Sequence, residues 1–115
     1  MANKKFIYFV SLSSNAAYVI KQSLEMVKQQ HEVAIFFNLD GTKVLDERYF
    51  NNRNSAHDLD LGKLLKSALA SGIKLYGCQM NILIADGLQL IEGAELAGVV
   101  TFLELAYAAD AVISY

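Results

Sequence analysis

Short apolar runs alternate with amphipathic stretches along this chain. Residues 6–10, Phe-Ile-Tyr-Phe-Val, form a β-branched and aromatic run. The cap-forming residues Ser11, Ser13, Ser14 and Asn15 follow, which predicts a buried strand, a loop and a helix start. Ala17, Ile20, Leu24 and Val27 then recur at spacings of three and four, one apolar face of a helix that ends near Gln30 and His31. Residues 33–37 are a second continuous apolar run, closed by the turn-rich Asn38-Leu39-Asp40-Gly41. A continuous rather than alternating run suits a strand covered on both faces, as in a parallel sheet.

Val44, Leu45 and Tyr49 can line a short helix, residues 51–55 read as a polar loop, and His57 is read as lying in a polar loop next to Asp58. Leu61, Leu64, Leu65, Ala68 and Leu69 mark the clearest helix, with Asp58 or Asp60 as its expected cap and Gly72 just past its end. Residues 73–76 predict a third strand, with Gly77 as the sharp departure from it. Residues 79–85 fit a short crossover helix. The second half of 90–97 predicts a fourth strand, 99–109 an apolar helix and 111–115 a fifth strand. The strand–helix rhythm predicts an α/β fold: a three-layer sandwich with a five-stranded parallel sheet and right-handed crossovers, flavodoxin-like in plan.

Composition narrows the class. A chain of 115 residues suits a single domain spanning 1–115, since domains commonly run ~100–150 residues. Its 54% apolar content exceeds the ~45–50% of average globular proteins, leaving apolar surface for a partner subunit. A net charge of −2 and a pI near 5.6 argue against nucleic acid as a partner. The N-terminal apolar run is shorter than the ~7–15 residues of a signal-peptide core. No stretch reaches the ~18 apolar residues of a membrane span. A cytoplasmic protein is expected, and its one cysteine excludes an internal disulfide.

Ligands of an open parallel sheet bind beyond the carboxyl ends of its strands. Ser13 and Asn15 follow the first predicted strand, Asn38 and Asp40 the second. Gly77, Cys78, Gln79 and Asn81 follow the third, and Gly98 and Thr101 the fourth. Cys78 is the candidate nucleophile, because thiolate reactivity is favoured at a helix N-terminus reached through a tight turn. The competing reading is a buried small hydrophobe, the commonest role of a free cysteine. His31 and His57 lack metal-site spacing, and no metal or cofactor is expected. The 11–15 loop lacks the glycines and lysine of a phosphate loop and is expected to cap the first helix.

Three stretches carry a resemblance: LYGCQMN around Cys78; LIEGAELAGVVTFLELAYAADAVISY; and the opening strand–loop–helix with a second strand ending FFNLDG. Together they resemble the DsrE/DsrF-like sulfur-relay family, in particular its small stand-alone members labelled peroxiredoxin-like. The resemblance runs over nearly the whole chain and is weakest at 42–57; Asn81 stands where close relatives often carry serine. It implies a homotrimer or homohexamer, sulfur donor and acceptor proteins as partners, and Cys78 as a persulfide-carrying residue. A non-catalytic binding module with a structural Cys78 is the alternative. Peroxide reduction is disfavoured, since the chain has no second, resolving cysteine.

Overall fold

A computed structural model describes residues 4–47, 56–79 and 89–115, with the backbone alone for 56–60. Among them are five strands: β1 (Lys5–Val10), β2 (Glu32–Phe37), β3 (Lys74–Cys78), β4 (Glu95–Ala97) and β5 (Ala111–Ser114). All neighbouring pairs are parallel, in the order β4-β3-β2-β1-β5. Among the described residues three α-helices accompany them: α1 (Ala16–Lys28), α2 (Ala56–Ala70) and α3 (Val99–Ala108). The α/β parallel sheet follows from the continuous apolar runs. The strand order departs from the 2-1-3-4-5 of flavodoxin while keeping helices on both faces.

The handedness of crossovers sets the layers. The steps from β1 to β2 and from β2 to β3 run in one direction, and α1 and α2 pack together on one face. The step from β4 to β5 runs back across the sheet, and α3 lies on the opposite face over β1 and β4. Side-chain alternation divides the core accordingly. Tyr8, Val10, Ile35, Phe37 and Leu75 join Val19, Ile20, Leu61 and Leu65 in the larger cluster. Phe36, Tyr76 and Ala97 form the smaller one, with Phe9, Phe102, Leu105 and Cys78 packed against it. Among the described residues no helix is long and apolar enough to cross a membrane.

Several local expectations are corrected. Gly77 lies inside β3, paired with Phe37 on one side and Leu96 on the other; the backbone turns helical only at Gln79. α2 begins at Ala56, so Asp58 and Asp60 fall within it rather than cap it, and His57 is helical rather than in a loop. The apolar repeat from Leu61 reports where that helix meets the sheet, not where it starts. Its end is as expected: Gly72 adopts φ +87°, a conformation glycine takes without strain. The amides of Gly72 and Ile73 bond back to the Leu69 and Ala68 carbonyls. The helix around Val44 and Leu45 is a 3-10 segment, Leu39–Leu45. Tyr49, Asn81, the 51–55 loop and the predicted crossover helix beyond Gln79 lie outside the described residues.

Candidate functional site at the carboxyl edge of the sheet

Register places the site. Phe9, Phe36 and Tyr76 are Cα partners in one row across β1, β2 and β3. Their rings stack at 5.6 Å and 6.2 Å between centroids. Phe102 of α3 covers the row edge-on, 5.0 Å from Phe9 and 5.2 Å from Phe36. Aromatic pairs in these geometries add ~0.5–1.5 kcal/mol each beyond their burial, so the row is a rigid floor under the sheet's upper edge.

Two residues further along each strand, on the same face, comes the next row. Cys78 pairs with Ala97. Continuing the β1–β2–β3 register by one residue puts Asn38 beside Cys78 and Ser11 beside Asn38. Asn38 keeps an extended backbone (φ −136°, ψ 172°), and its amide bonds to the Val10 carbonyl at 2.9 Å, so the sheet continues through it. The Ser11 hydroxyl donates to Asn38 Oδ1 at 2.7 Å. That leaves the Asn38 amide nitrogen as the end able to donate further. Cys78, half-buried against the aromatic cluster, is the last residue of β3. Beside it, the Gln79 side-chain oxygen lies 3.6 Å from where a Cβ on Gly98 would stand, an ordinary contact.

The other predicted residues divide into two groups. Ser13 and Asp40 bind each other. The Asp40 carboxylate accepts from Lys43 Nζ at 2.7 Å, from the Ser13 amide at 2.9 Å and from the Ser13 hydroxyl at 2.8 Å. These donors, Lys43 foremost, lower its pKa to about 2. This cluster ties the loop after β1 to the loop after β2, a structural task that engages both carboxylate oxygens. Gly41 completes the tie: its amide bonds to the Ser11 and Asn38 carbonyls, and a Cβ there would run into the Val10 carbonyl oxygen. The expected helix caps are therefore not capping; neither Asn15 nor the residue before the Ser13–Asn15 3-10 turn makes a side-chain cap bond. Thr101 is exposed on α3, and among the described residues no hydrogen bond joins it, Asn15 or Asp40 to Cys78. His31 sits at the opposite, N-terminal edge, where its Nδ1 accepts the Lys4 amide at 3.2 Å.

Sequence reasoning took Ser11 for a cap-forming loop residue rather than a site residue, and it passed over the aromatic floor. The signal was present as a period of two: Phe9 and Ser11, Phe36 and Asn38, Tyr76 and Cys78 each place an aromatic ring one step below a polar or sulfur group. The direction of the chain reverses after β4, the strand beside Cys78. Ligand crevices of parallel sheets form where strand order reverses.

These features define a parallel α/β protein with its only thiol at the carboxyl edge beside the reversal point. Residues 4–115 match the DsrE/DsrF-like family, and the chain belongs to that family. Among solved structures it is similar to the YchN protein of E. coli, with a TM-score of 0.78 at 15% identity, covering 98% of this chain and 99% of that one; at this identity the likeness speaks for the fold. No curated protein matches the chain.

Proposed function

We propose that the chain is a sulfur carrier in an intracellular sulfur relay. The Cys78 thiolate attacks the terminal sulfur of a donor persulfide and the donor thiolate leaves, which gives Cys78–S–SH. An acceptor thiolate then takes that terminal sulfur and frees Cys78. Sulfur moves between thiols with no net oxidation, so no cofactor is needed. The observation that carries the reading is a half-buried, single cysteine at the carboxyl edge of β3 in a DsrE/DsrF-like chain. The Asn38 amide, next in the register, is assigned to donate to the sulfur anion; Gln79 is the neighbouring polar group. Gly77, Ser13, Asn15, Asp40 and Thr101 hold or flank the loops of the site, and Asn81 belongs to the motif.

The same reading makes 1–115 one cytoplasmic unit that works as a homotrimer or homohexamer. Exposed Leu12 and Leu39, on the loops after β1 and β2, supply apolar surface for that assembly. Light scattering on the purified protein tests it, and a monomer at micromolar concentration would rule the assembly out.

Mass spectrometry after incubation with polysulfide tests the carrier. One added sulfur on Cys78, released by reductant and absent in Cys78→Ser, is the expected result. A Cys78 that gains no sulfur and resists alkylation in the folded protein would sink the proposal. It would favour the second reading, a binding module in which Cys78 is a wall residue, whose support is its packing against Phe36, Tyr76 and Ala97.

A further inference from the structure

After Lys74 the chain contains no Lys, Arg or His, but five acids: Asp86, Glu92, Glu95, Glu104 and Asp110. The remaining 1–74 carry all ten Lys and Arg against seven Asp and Glu. Within this segment β4 carries Glu95, α3 carries Glu104 and neither element carries a cation; Cys78 lies on β3, beside β4.

The outer side of α3 is apolar and uncovered. Val99, Leu103 and Tyr107 recur every four residues at 68%, 50% and 93% exposure, and Val100 beside them is 69% exposed. Glu104 borders this stripe on the helix, and Glu95 projects from β4 on the same face as Ala97; both are exposed. Among the described residues the ion pairs are Lys5–Glu32, Lys28–Glu25 and Lys43–Asp40, and none neutralises Glu95 or Glu104. The stripe starts two residues after Ala97, the strand partner of Cys78.

We infer that this face docks the protein with which Cys78 exchanges sulfur, and that the partner presents an apolar patch ringed by Lys and Arg. The inference rests on the carrier reading and names its partner chemistry. Apolar side chains supply the buried centre of such an interface, and complementary charge at the rim steers the encounter. A second copy docking α3 on α3 would set Glu104 and Glu95 against acids of the same patch, which disfavours the symmetric self-contact.

The probe is a pair of amphipathic helical peptides, one of Leu and Lys and one of Leu and Glu, each with a single cysteine blocked as its 2-thiopyridyl disulfide. The Cys78 thiolate attacks the peptide sulfur, a protein–peptide disulfide forms, and pyridine-2-thione leaves with the electron pair and is read by its absorbance. The Lys peptide is expected to react at least ~10-fold faster than the Glu peptide at low salt, with the ratio shrinking as salt is added. Glu104→Lys should cut that ratio. Tyr107→Ser should slow the Lys peptide while leaving the reaction with small 2,2′-dithiodipyridine unchanged, with circular dichroism and the thermal midpoint showing that the variant is folded. Equal rates for the two peptides would overturn the inference. So would light scattering in which Tyr107→Ser breaks up a wild-type oligomer, since a second copy would then occupy α3. Sulfur loading from polysulfide, read on the same samples, separates the two ideas: loading without peptide preference defeats the docking face alone, and no loading defeats the carrier.

Discussion

Replacing Asp40 with asparagine keeps the shape of the loop tie and removes its charge. In the native fold the Lys43 ammonium, then the Ser13 amide and hydroxyl, hold the Asp40 pKa at about 2, down from 3.8. That difference corresponds to roughly 2.5 kcal/mol at ~1.36 kcal/mol for each tenfold change. The Asp40 side chain is 36% exposed and that of Lys43 64%, so solvent screening reduces the contribution to about 1 kcal/mol. The sign follows from linkage: a carboxylate whose pKa is depressed on folding adds stability above its unfolded pKa, near 3.8, and loses it as pH falls toward about 2. Urea unfolding of wild type and Asp40→Asn, run in parallel between about pH 7 and pH 2, should therefore show a gap of about 1 kcal/mol above pH ~5 that closes by pH ~2. A gap that stays constant through that window would refute the assignment of the loss to the Asp40 charge. So would the absence of any gap at neutral pH.

Gly41→Ala should destabilise by about 2–4 kcal/mol in the same assay, because the new methyl meets the Val10 backbone carbonyl and displaces the amide bonds that hold Asn38 and Gly41. Phe102→Ala removes the ring that covers Phe9 and Phe36 and should cost about 2–3 kcal/mol by thermal unfolding, below the full-burial range because Phe102 is only half-buried. Asn38→Ala should slow sulfur uptake by Cys78 from polysulfide by about 3–10-fold, followed by mass spectrometry, since a donor beside the sulfur anion is lost; an unchanged rate would refute the role given to Asn38. If Glu95 and Glu104 on the neighbouring β4 and α3 are felt at Cys78, the ratio of its rates with neutral iodoacetamide and anionic iodoacetate should exceed that of a free cysteine peptide by about threefold at low salt, and a ratio equal to the peptide's would refute that influence.

The sheet was legible chiefly because the first two strands, 6–10 and 33–37, are continuous apolar runs closed by Ser or Asn, while β4, Glu-Leu-Ala, was placed by the strand–helix rhythm rather than by an apolar run. Those runs locate strand interiors well and strand ends poorly. Gly77 illustrates this: glycine signals a turn in most contexts, but here two flanking strands hold it in the ladder and the turn waits for Gln79. Asp40 was legible as a residue at the carboxyl edge but not as one with both oxygens engaged, because its partners Ser13 and Lys43 reach it through the pairing of two loops. Asn38 and Ser11 acquire their place only from the β1–β2–β3 register, a long-range property that no local window contains.

Alternation along β3 sharpens the choice between the two roles of its cysteine. Tyr76 and Cys78 face the same way, two residues or roughly 6.5 Å apart. Tyr76 is buried within the aromatic floor, whereas Cys78 stands at its rim, half-buried. A thiol one step lower would be walled by Phe36 and Phe102 and would be filler. At the rim its hydrogen-bonding surroundings come from Asn38, which sheet pairing fixes, and from Gln79. Neither carries a charge. A persulfide anion held over aromatic rings is costly without cations, and among the described residues of the loop after β2 the one lysine, Lys43, is bound to Asp40. A cationic partner docked beside α3, as proposed, would supply positive charge that favours the anion. On the proposed docking, sulfur transfer and partner binding become one event.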